Sequence, residues 1–251
     1  VALQAHTVPV FLEGPTRRMK VLKTKEEKKA LYEQVLNSTL YDDELKMYKI
    51  SENLEGQPEE LGRMLAFPSG WLENESIWMH MSFKWYLEIL RAGLFTEFWE
   101  EAKTGMPPFM DPAVYGRSPL EMASFIVSSA FPDPDMWGSG YLARLSGSTA
   151  ELLSVLNLAM AGPEPFISTN EGLSLEFTPA LPEWMFTIEG KVSFTFMGGA
   201  NVTYHNPRGL DTWHEDFGED VVLELDSGVL PPPYAEMVRA QAVRTIDVHY
   251  K

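Results

Sequence analysis

The sequence predicts a mainly α-helical region over residues 1–165, followed by a β-rich region over residues 166–251. Two observations support this order. Long apolar segments with helix start and stop residues fill the first region. Short runs with alternating or β-branched residues, bounded by Gly, Pro and Asn, fill the second. Because the helices precede the strands and do not alternate with them, we expect separate layers or domains.

Two helices are predicted in the first half of the helical region. In "TKEEKKALYEQVLNSTL", Thr24 is the expected N-cap and Glu27 follows three residues later, which is the spacing of a capping box. "NESIWMHMSFKWYLEILRAG" predicts a helix capped by Asn74 and ended by Gly93, with His80 in its middle. Its apolar residues surround almost the whole circumference, which is typical of a buried helix.

Three more helices are expected before residue 165. "LFTEFWEEAKTG" predicts a short amphipathic helix. "SPLEMASFIVSSA" predicts a helix with Ser118 as N-cap and Glu121 completing a capping box. In "LSGSTAELLSVLNLAMAG", Ser148 and Glu151 repeat that spacing, and Gly162 is the expected stop.

The β region contains three candidate strand segments and one clear turn. The segments are "LSLEFTP", "KVSFTFMGGANVTYHNP" and "DVVLELDSG". Within the second, "MGGA" separates two strand-like runs and predicts a hairpin. This region is therefore interpreted as a small β-sandwich or sheet domain.

Composition excludes several classes of function. The 251 residues carry a formal net charge of −16, which argues against binding to nucleic acid or anionic membranes, because both need positive surface. No segment approaches the roughly 18 uncharged apolar residues of a membrane-spanning helix.

The lack of cysteine excludes disulfides and suits a reducing, cytoplasmic compartment. Since "VALQAHTVPVFLEGPTRRMK" has neither an initiator Met nor a signal-peptide pattern, we expect a piece of a longer polypeptide.

The histidines of the β region do not predict a metal site. His205 and His214 lie in the same stretch as Asp211, Glu215 and Asp216, but no spacing among them is diagnostic of metal ligands. We therefore expect no bound metal. Dinucleotide-binding and phosphate-loop signatures and the Gly-x-Ser-x-Gly elbow are also absent from the sequence.

Three other features leave alternatives open when judged from residues alone. The "LSGSTAE" turn is either a helix cap or an anion site, because exposed amides at a helix N-terminus serve both purposes. His80 is either a core imidazole bonded to a carbonyl or a functional group. Glu73 and Glu75, near a predicted helix start, are either favourable partners of the helix dipole or ligand-binding groups.

Two stretches in order resemble one enzyme family. "GWLENESIWMHM" resembles the Gly…Glu-Asn…His helix start of the cellobiose phosphorylase group, glycoside hydrolase family 94. "YGRSPLEMASFIVSS" and "ARLSGSTAELLS" resemble the family's stretch that carries a Leu-Thr-Gly-Thr/Ser phosphate loop. The similarity is greatest to larger relatives such as 1,2-β-oligoglucan and β-1,3-glucan phosphorylases, and it covers residues 60–165.

The resemblance implies both a fold and a chemistry. The fold is an (α/α)6 barrel, with residues 1–165 as its last helices, followed by a C-terminal β domain. The chemistry is inverting phosphorolysis of β-glucan oligosaccharides to α-glucose 1-phosphate, with inorganic phosphate as co-substrate and no other cofactor. His80, Ser146 and Gly147 would bind phosphate, and Glu73 would contact the sugar. The remainder of the barrel would be a partner, and homodimerisation stays open.

Two departures limit the resemblance. The disaccharide-specific members have a basic residue where this chain has Leu72, which favours a different or longer acceptor. The family's general acid is an Asp upstream of the Glu-Asn helix, and "LYDDELKMYK", with Asp42 and Asp43, has the wrong context. We therefore expect no catalytic acid in this chain and no turnover by it alone. A non-catalytic carbohydrate-binding or scaffold protein and an inverting hydrolase remain alternatives.

Overall fold

A computed structural model describes residue 5 and residues 7–118, 121–141, 147–215, 217, 219–220 and 229–250. The chain divides into two compact units, Val1–Val155 and Leu156–Lys251. This division precedes the domain boundary predicted at residue 165. Within the described residues, no helix is both long enough and apolar enough to span a lipid bilayer.

The first unit combines helices with two small antiparallel sheets. The helices that begin in it are α1 (Glu13–Val21), α2 (Lys25–Leu36), α3 (Met79–Arg91), α4 (Phe95–Gly105), α5 (Pro112–Tyr115) and α6 (Gly147–Ala161). Short 3-10 turns cover Glu59–Ala66, with a kink at Gly62, Pro107–Phe109 and Pro134–Met136. One sheet pairs β1 (Tyr41–Asp42) with β2 (Met47–Tyr48). The other has the order β3 (Ile77–Trp78), β4 (Phe125–Ile126) and β5 (Gly140–Tyr141).

Several predicted helix boundaries are confirmed. Thr24 caps α2, and the reciprocal bonds of a capping box join it to Glu27. The helix predicted from "LFTEFWEEAKTG" is α4. Gly93 and Gly162, which follow α3 and α6, both have positive φ, as expected of glycines that end helices. Helix α3 is buried along most of its length, as its apolar circumference predicts.

The predicted start of α3 is wrong. Asn74 does not cap it, because its amide donates to the carbonyl of Phe67 and its Oδ1 accepts from the amide of Leu54. The helix begins at Met79 instead. His80 therefore lies in the first turn of α3, not in the middle of a long helix.

The helix predicted from "SPLEMASFIVSSA" is also wrong within its described residues. Phe125 and Ile126 form β4, the central strand of the sheet with β3 and β5. Glu121 forms an ion pair with Arg117 and does not complete a capping box. A short run of buried apolar residues fits a strand or a helix equally well by periodicity, and pairing with two neighbouring strands decides the outcome here.

The second unit is built mainly from strands. They are β6 (Phe166–Thr169), β7 (Gly172–Glu176), β8 (Lys191–Phe196), β9 (Ala200–His205), β10 (Glu219–Asp220), β11 (Val229–Leu230) and β12 (Thr245–Tyr250). Helix α7 (Tyr234–Arg239) and a 3-10 turn at Glu183–Met185 complete its described elements. One sheet has the order β11-β7-β6, and the other has the order β10-β12-β9-β8. Strands β9 and β12 run parallel, and the other pairs in these sheets are antiparallel.

The predicted hairpin is confirmed between β8 and β9. Phe196 pairs with Ala200, and the intervening Met197 and Gly198 both have positive φ. Aromatic rings from the two sheets also meet: Phe166 stacks on Phe196 with centroids 5.8 Å apart, and Phe177 lies edge-on to Phe196 at 5.1 Å. The described residues thus combine helices with three antiparallel sheets and one mixed sheet.

Candidate functional site

The segment Gly70–Ser76 forms a tight turn in front of β3. Gly70, Leu72 and Glu75 have positive φ, and Trp71 pairs with Asn74 across the turn. A positive φ is uncommon for Leu and Glu, and it persists only where the surroundings hold the backbone in place. Buried hydrogen bonds of the Asn74 amide side chain supply part of that support.

The two carboxylates of this turn have different partners. Glu73, the residue predicted to contact sugar, forms an ion pair with the exposed guanidinium of Arg63. Its second oxygen, Oε2, is buried and has no hydrogen-bond partner among the described residues. Glu75 is buried and is held by Lys49 at 2.9 Å and by the amide of Asn53 at 2.8 Å. Glu73 therefore retains an acceptor atom for a ligand, whereas Glu75 is engaged by its neighbours.

His80 is half-buried in the first turn of α3. Its Nδ1 is buried and has no hydrogen-bond partner among the described residues. Burial lowers the pKa of His80, and the nearby Lys84 lowers it further, while Glu13 opposes the shift. The neutral imidazole is therefore favoured, and one of its ring nitrogens lacks a partner. This disfavours the core interpretation in which a carbonyl binds Nδ1.

Aromatic side chains connect the turn to the sheet β3-β4-β5. Trp71 lies 5.2 Å from Phe125 and 4.8 Å from Tyr141 between ring centroids, both edge-on. Trp78 stacks on the other side of this group, 5.8 Å from Phe125. The indole N–H of Trp78 donates to the carbonyl of Leu72 at 2.6 Å, which ties β3 back to the turn.

Ser124, just before β4, joins the flanks of the two motifs. Its carbonyl accepts from the amide of Met79 at 3.0 Å, and its amide donates to the carbonyl of Tyr141 at 2.7 Å. Met79 precedes His80, and Tyr141 precedes the "LARLSGS" sequence motif. Adjacent strands lie about 4.8 Å apart, so the two flanks are about 10 Å apart across β4. The predicted motif segments thus begin from the same small sheet.

The predicted phosphate loop is described only in part. Ser146 lies outside the described residues, and Gly147 is the first residue of α6. Ser148, predicted as the N-cap, lies inside the first turn of α6 and is buried. The choice between a cap and an anion site at this turn stays open.

Asp42 has a structural environment. Its carboxylate accepts from the amide and the hydroxyl of Ser129, both at 2.8 Å, and from the amides of Glu44 and Leu45. The side chain is buried and joins the β1–β2 turn to the segment that follows β4. Both oxygens of the Asp42 carboxylate are thus engaged by donors of the chain itself, which is typical of a structural role.

No protein-family model and no curated protein matches the chain. The evidence for function therefore lies in the site itself and in the resemblance of its motifs.

Two cations beside this site were not predicted from the sequence, Arg63 at Glu73 and Lys84 near His80. The spacing of four residues on one helix could have indicated Lys84 once the helix start was known. Arg63 is brought to Glu73 by the folded chain and has no local signal.

Side chains spaced like the ligands of a metal ion occur outside this turn, in the second unit. Among the described residues, the group that could hold a metal ion is His205, Asp247 and His249 in the second unit. His205 thus meets residues of β12, and the stretch containing His214 and Asp211 does not contribute to that group.

Proposed function

We propose that the chain is the C-terminal part of an inverting β-glucan phosphorylase, which cleaves β-glucan oligosaccharides with inorganic phosphate to give α-glucose 1-phosphate. The observation that carries the proposal is the bridging position of Ser124. Its backbone bonds to Met79, beside His80, and to Tyr141, the residue before the "LARLSGS" sequence motif. Two motifs that resemble the two halves of a phosphate site are therefore anchored to one sheet.

His80 is proposed to form one half of the phosphate site. Its unpartnered Nδ1 is available to a phosphate oxygen, and Trp78 at the N-cap of α3 provides no side-chain cap. The amide of Met79 donates to Ser124, but the dipole of a helix N-terminus without a side-chain cap still favours an anion near His80. Lys84 adds a positive charge nearby. Ser146 and the amide of Gly147, at the start of α6, are proposed as the other half.

Glu73 is proposed to contact a hydroxyl on the acceptor side of the sugar chain. A carboxylate oxygen that is buried without a partner is costly, and a donated sugar hydroxyl would satisfy it. Arg63 holds the other oxygen, which orients the carboxylate. The absence of a basic residue at Leu72 favours an acceptor other than that of the disaccharide-specific enzymes.

The proposed reaction needs one protein acid and phosphate. The acid gives its proton to the glycosidic oxygen, the C1–O bond breaks, and a phosphate oxygen bonds to C1 from the opposite face. The acid is proposed to lie in a part of the enzyme outside this chain, since Asp42 is held by four donors. The first unit would then form the last helices of an (α/α)6 barrel, and the paired sheets of the second unit would form a β-sandwich.

Calorimetric titration of phosphate into this chain tests the proposal. We expect saturable binding that His80→Ala and Ser146→Ala each weaken, because each removes a side-chain donor to the anion. Ser154→Ala and His214→Ala are matched controls, since Ser154 lies further along α6 and His214 is exposed in the second unit. Circular dichroism verifies that each variant is folded.

The outcomes separate the proposal from its alternatives. Absence of phosphate binding by the folded chain, or binding that neither site variant weakens, would contradict the phosphate site and return "LSGSTAE" to a helix cap. Activity of the complete enzyme then distinguishes the chemistry. Release of glucose without phosphate indicates a hydrolase, and glucan binding without turnover indicates a carbohydrate-binding protein.

A further inference from the structure

Two of the five histidines meet on the outer face of the sheet β10-β12-β9-β8. Strands β9 and β12 are parallel, and His205 is the register partner of His249. Asp247 lies two residues before His249, so both side chains project from the same face of β12. The alternate residues of these strands, such as Val202 and Val248, are buried beneath.

The three side chains are already close together. His205 Nε2 lies 2.8 Å from Asp247 Oδ1, and the rings of His205 and His249 stack with centroids 4.0 Å apart. One ligand atom from each of the three residues lies within 4.8 Å of the others. Ligand atoms of a tetrahedral zinc ion are about 3.3 Å apart, so binding requires the side chains to rotate and bring these atoms closer together.

Electrostatics at this group suit a cation. Each imidazole can offer a ring nitrogen to a metal ion. The nearest cation in register, Lys191 on β8, forms an ion pair with Glu189. The carboxylate of Asp247 supplies negative charge directly.

The group is also accessible and rigidly supported. The side chain of Asp247 is 45% exposed and that of His205 is 20% exposed, so an ion can reach them from solvent. The backbone of both strands is held by the parallel ladder. Ligands on two paired strands lose little freedom when an ion binds.

We propose that His205, Asp247 and His249 bind one divalent transition-metal ion on this face of the sheet. Two imidazoles and one carboxylate suit zinc and chemically similar ions better than Mg²⁺ or Ca²⁺, which prefer oxygen ligands. Three protein ligands leave a coordination position for water. The ion would fasten β12, the last strand of the described chain, to β9. This site is independent of the proposed phosphorylase function.

Zinc titration of the chain, freed of metal by a chelator and carrying no histidine tag, tests the proposal. We expect one Zn²⁺ per chain by calorimetry and a higher melting temperature when Zn²⁺ is present, because the ion binds the folded state. His249→Ala and the isosteric Asp247→Asn should each weaken binding by at least about tenfold and abolish the thermal shift. His214→Ala is the control, and it should leave both readouts unchanged.

Three results would overturn the proposal. They are absence of saturable Zn²⁺ binding by the folded chain, binding that survives unchanged in both His249→Ala and Asp247→Asn, and binding lost in His214→Ala. Asp247→Asn preserves the size of the side chain, so its effect on Zn²⁺ binding can be measured even if His249→Ala destabilises the sheet. Equal competition by Mg²⁺ would likewise contradict the transition-metal assignment.

Discussion

The indole of Trp78 meets the imidazole of His80 edge-on, with ring centroids 5.5 Å apart and an interplanar angle of 88°. The same indole donates its N–H to the carbonyl of Leu72 in the turn that carries Glu73. Trp78 therefore couples the orientation of His80 to the conformation of that turn. The two residues proposed to contact ligands are thus linked through one indole ring.

His80 should titrate below the usual histidine range. Burial penalises the imidazolium and Lys84 repels it, so the folded state lowers the pKa of His80 below 6.5. The neutral imidazole makes its full contribution to the free energy of unfolding when the pH is above the pKa of His80 in the unfolded chain. This contribution is lost as the pH falls through the pKa of His80 in the folded chain. Proton NMR of the ring Hε1 against pH measures the shift, and urea unfolding of His80→Gln should show a weaker loss of stability in acid.

Phosphate should raise the pKa of His80, because a bound oxyanion stabilises the imidazolium. The same NMR titration with phosphate present measures this change, with sodium chloride at matched ionic strength as the control. A pKa that phosphate does not move, in a chain that binds phosphate, would place the anion away from His80.

Glu101 should make folding less favourable as the pH rises. Burial raises its pKa above 4.5, although Tyr32 and Tyr48 donate hydrogen bonds to Oε1 at 2.7 and 2.9 Å. The contribution of the protonated carboxyl is fully present below the unfolded pKa and is lost as the pH rises through the folded pKa. Each unit by which the pKa of Glu101 differs between the folded and the unfolded chain corresponds to about 1.4 kcal/mol in the free energy of unfolding.

Urea unfolding between about pH 4 and pH 8 tests this prediction. Glu101→Gln should flatten the decline of unfolding free energy with pH, since it removes the titrating group. Glu100→Gln removes an exposed neighbouring charge that contributes only the smallest part of the shift, so it should flatten the decline much less than Glu101→Gln. An unchanged profile in Glu101→Gln would show that another group titrates.

Gly70 should not tolerate a side chain. Its φ is 80°, and a Cβ would lie 2.4 Å from the backbone nitrogen of Phe131. We expect Gly70→Ala to lower the free energy of unfolding by about 2–4 kcal/mol, from the strained φ and the backbone contact together. Gly56 has a φ of 73° and no atom within 4 Å of a Cβ, so Gly56→Ala should cost only about 1 kcal/mol. Equal losses in both variants would show that φ alone matters.

Local signals predicted only part of the fold and the site. The capping box of Thr24 and the hairpin at Gly198 depend on residues a few positions apart, and both are confirmed. Asn74 failed as a helix cap because Phe67 and Leu54 take its hydrogen bonds. The run around Phe125 failed as a helix because strands from both sides pair with it.

By itself, the sequence determined the order of helices before strands, the buried character of α3 and the residue types of both phosphate-site motifs. These properties depend on composition, periodicity and short-range spacing. Only the tertiary structure decided that His80 lies in the first turn of α3, that Ser124 joins the motif flanks, and that His205 faces His249. Each of these relations depends on backbone pairing between segments distant in sequence, which no local pattern encodes.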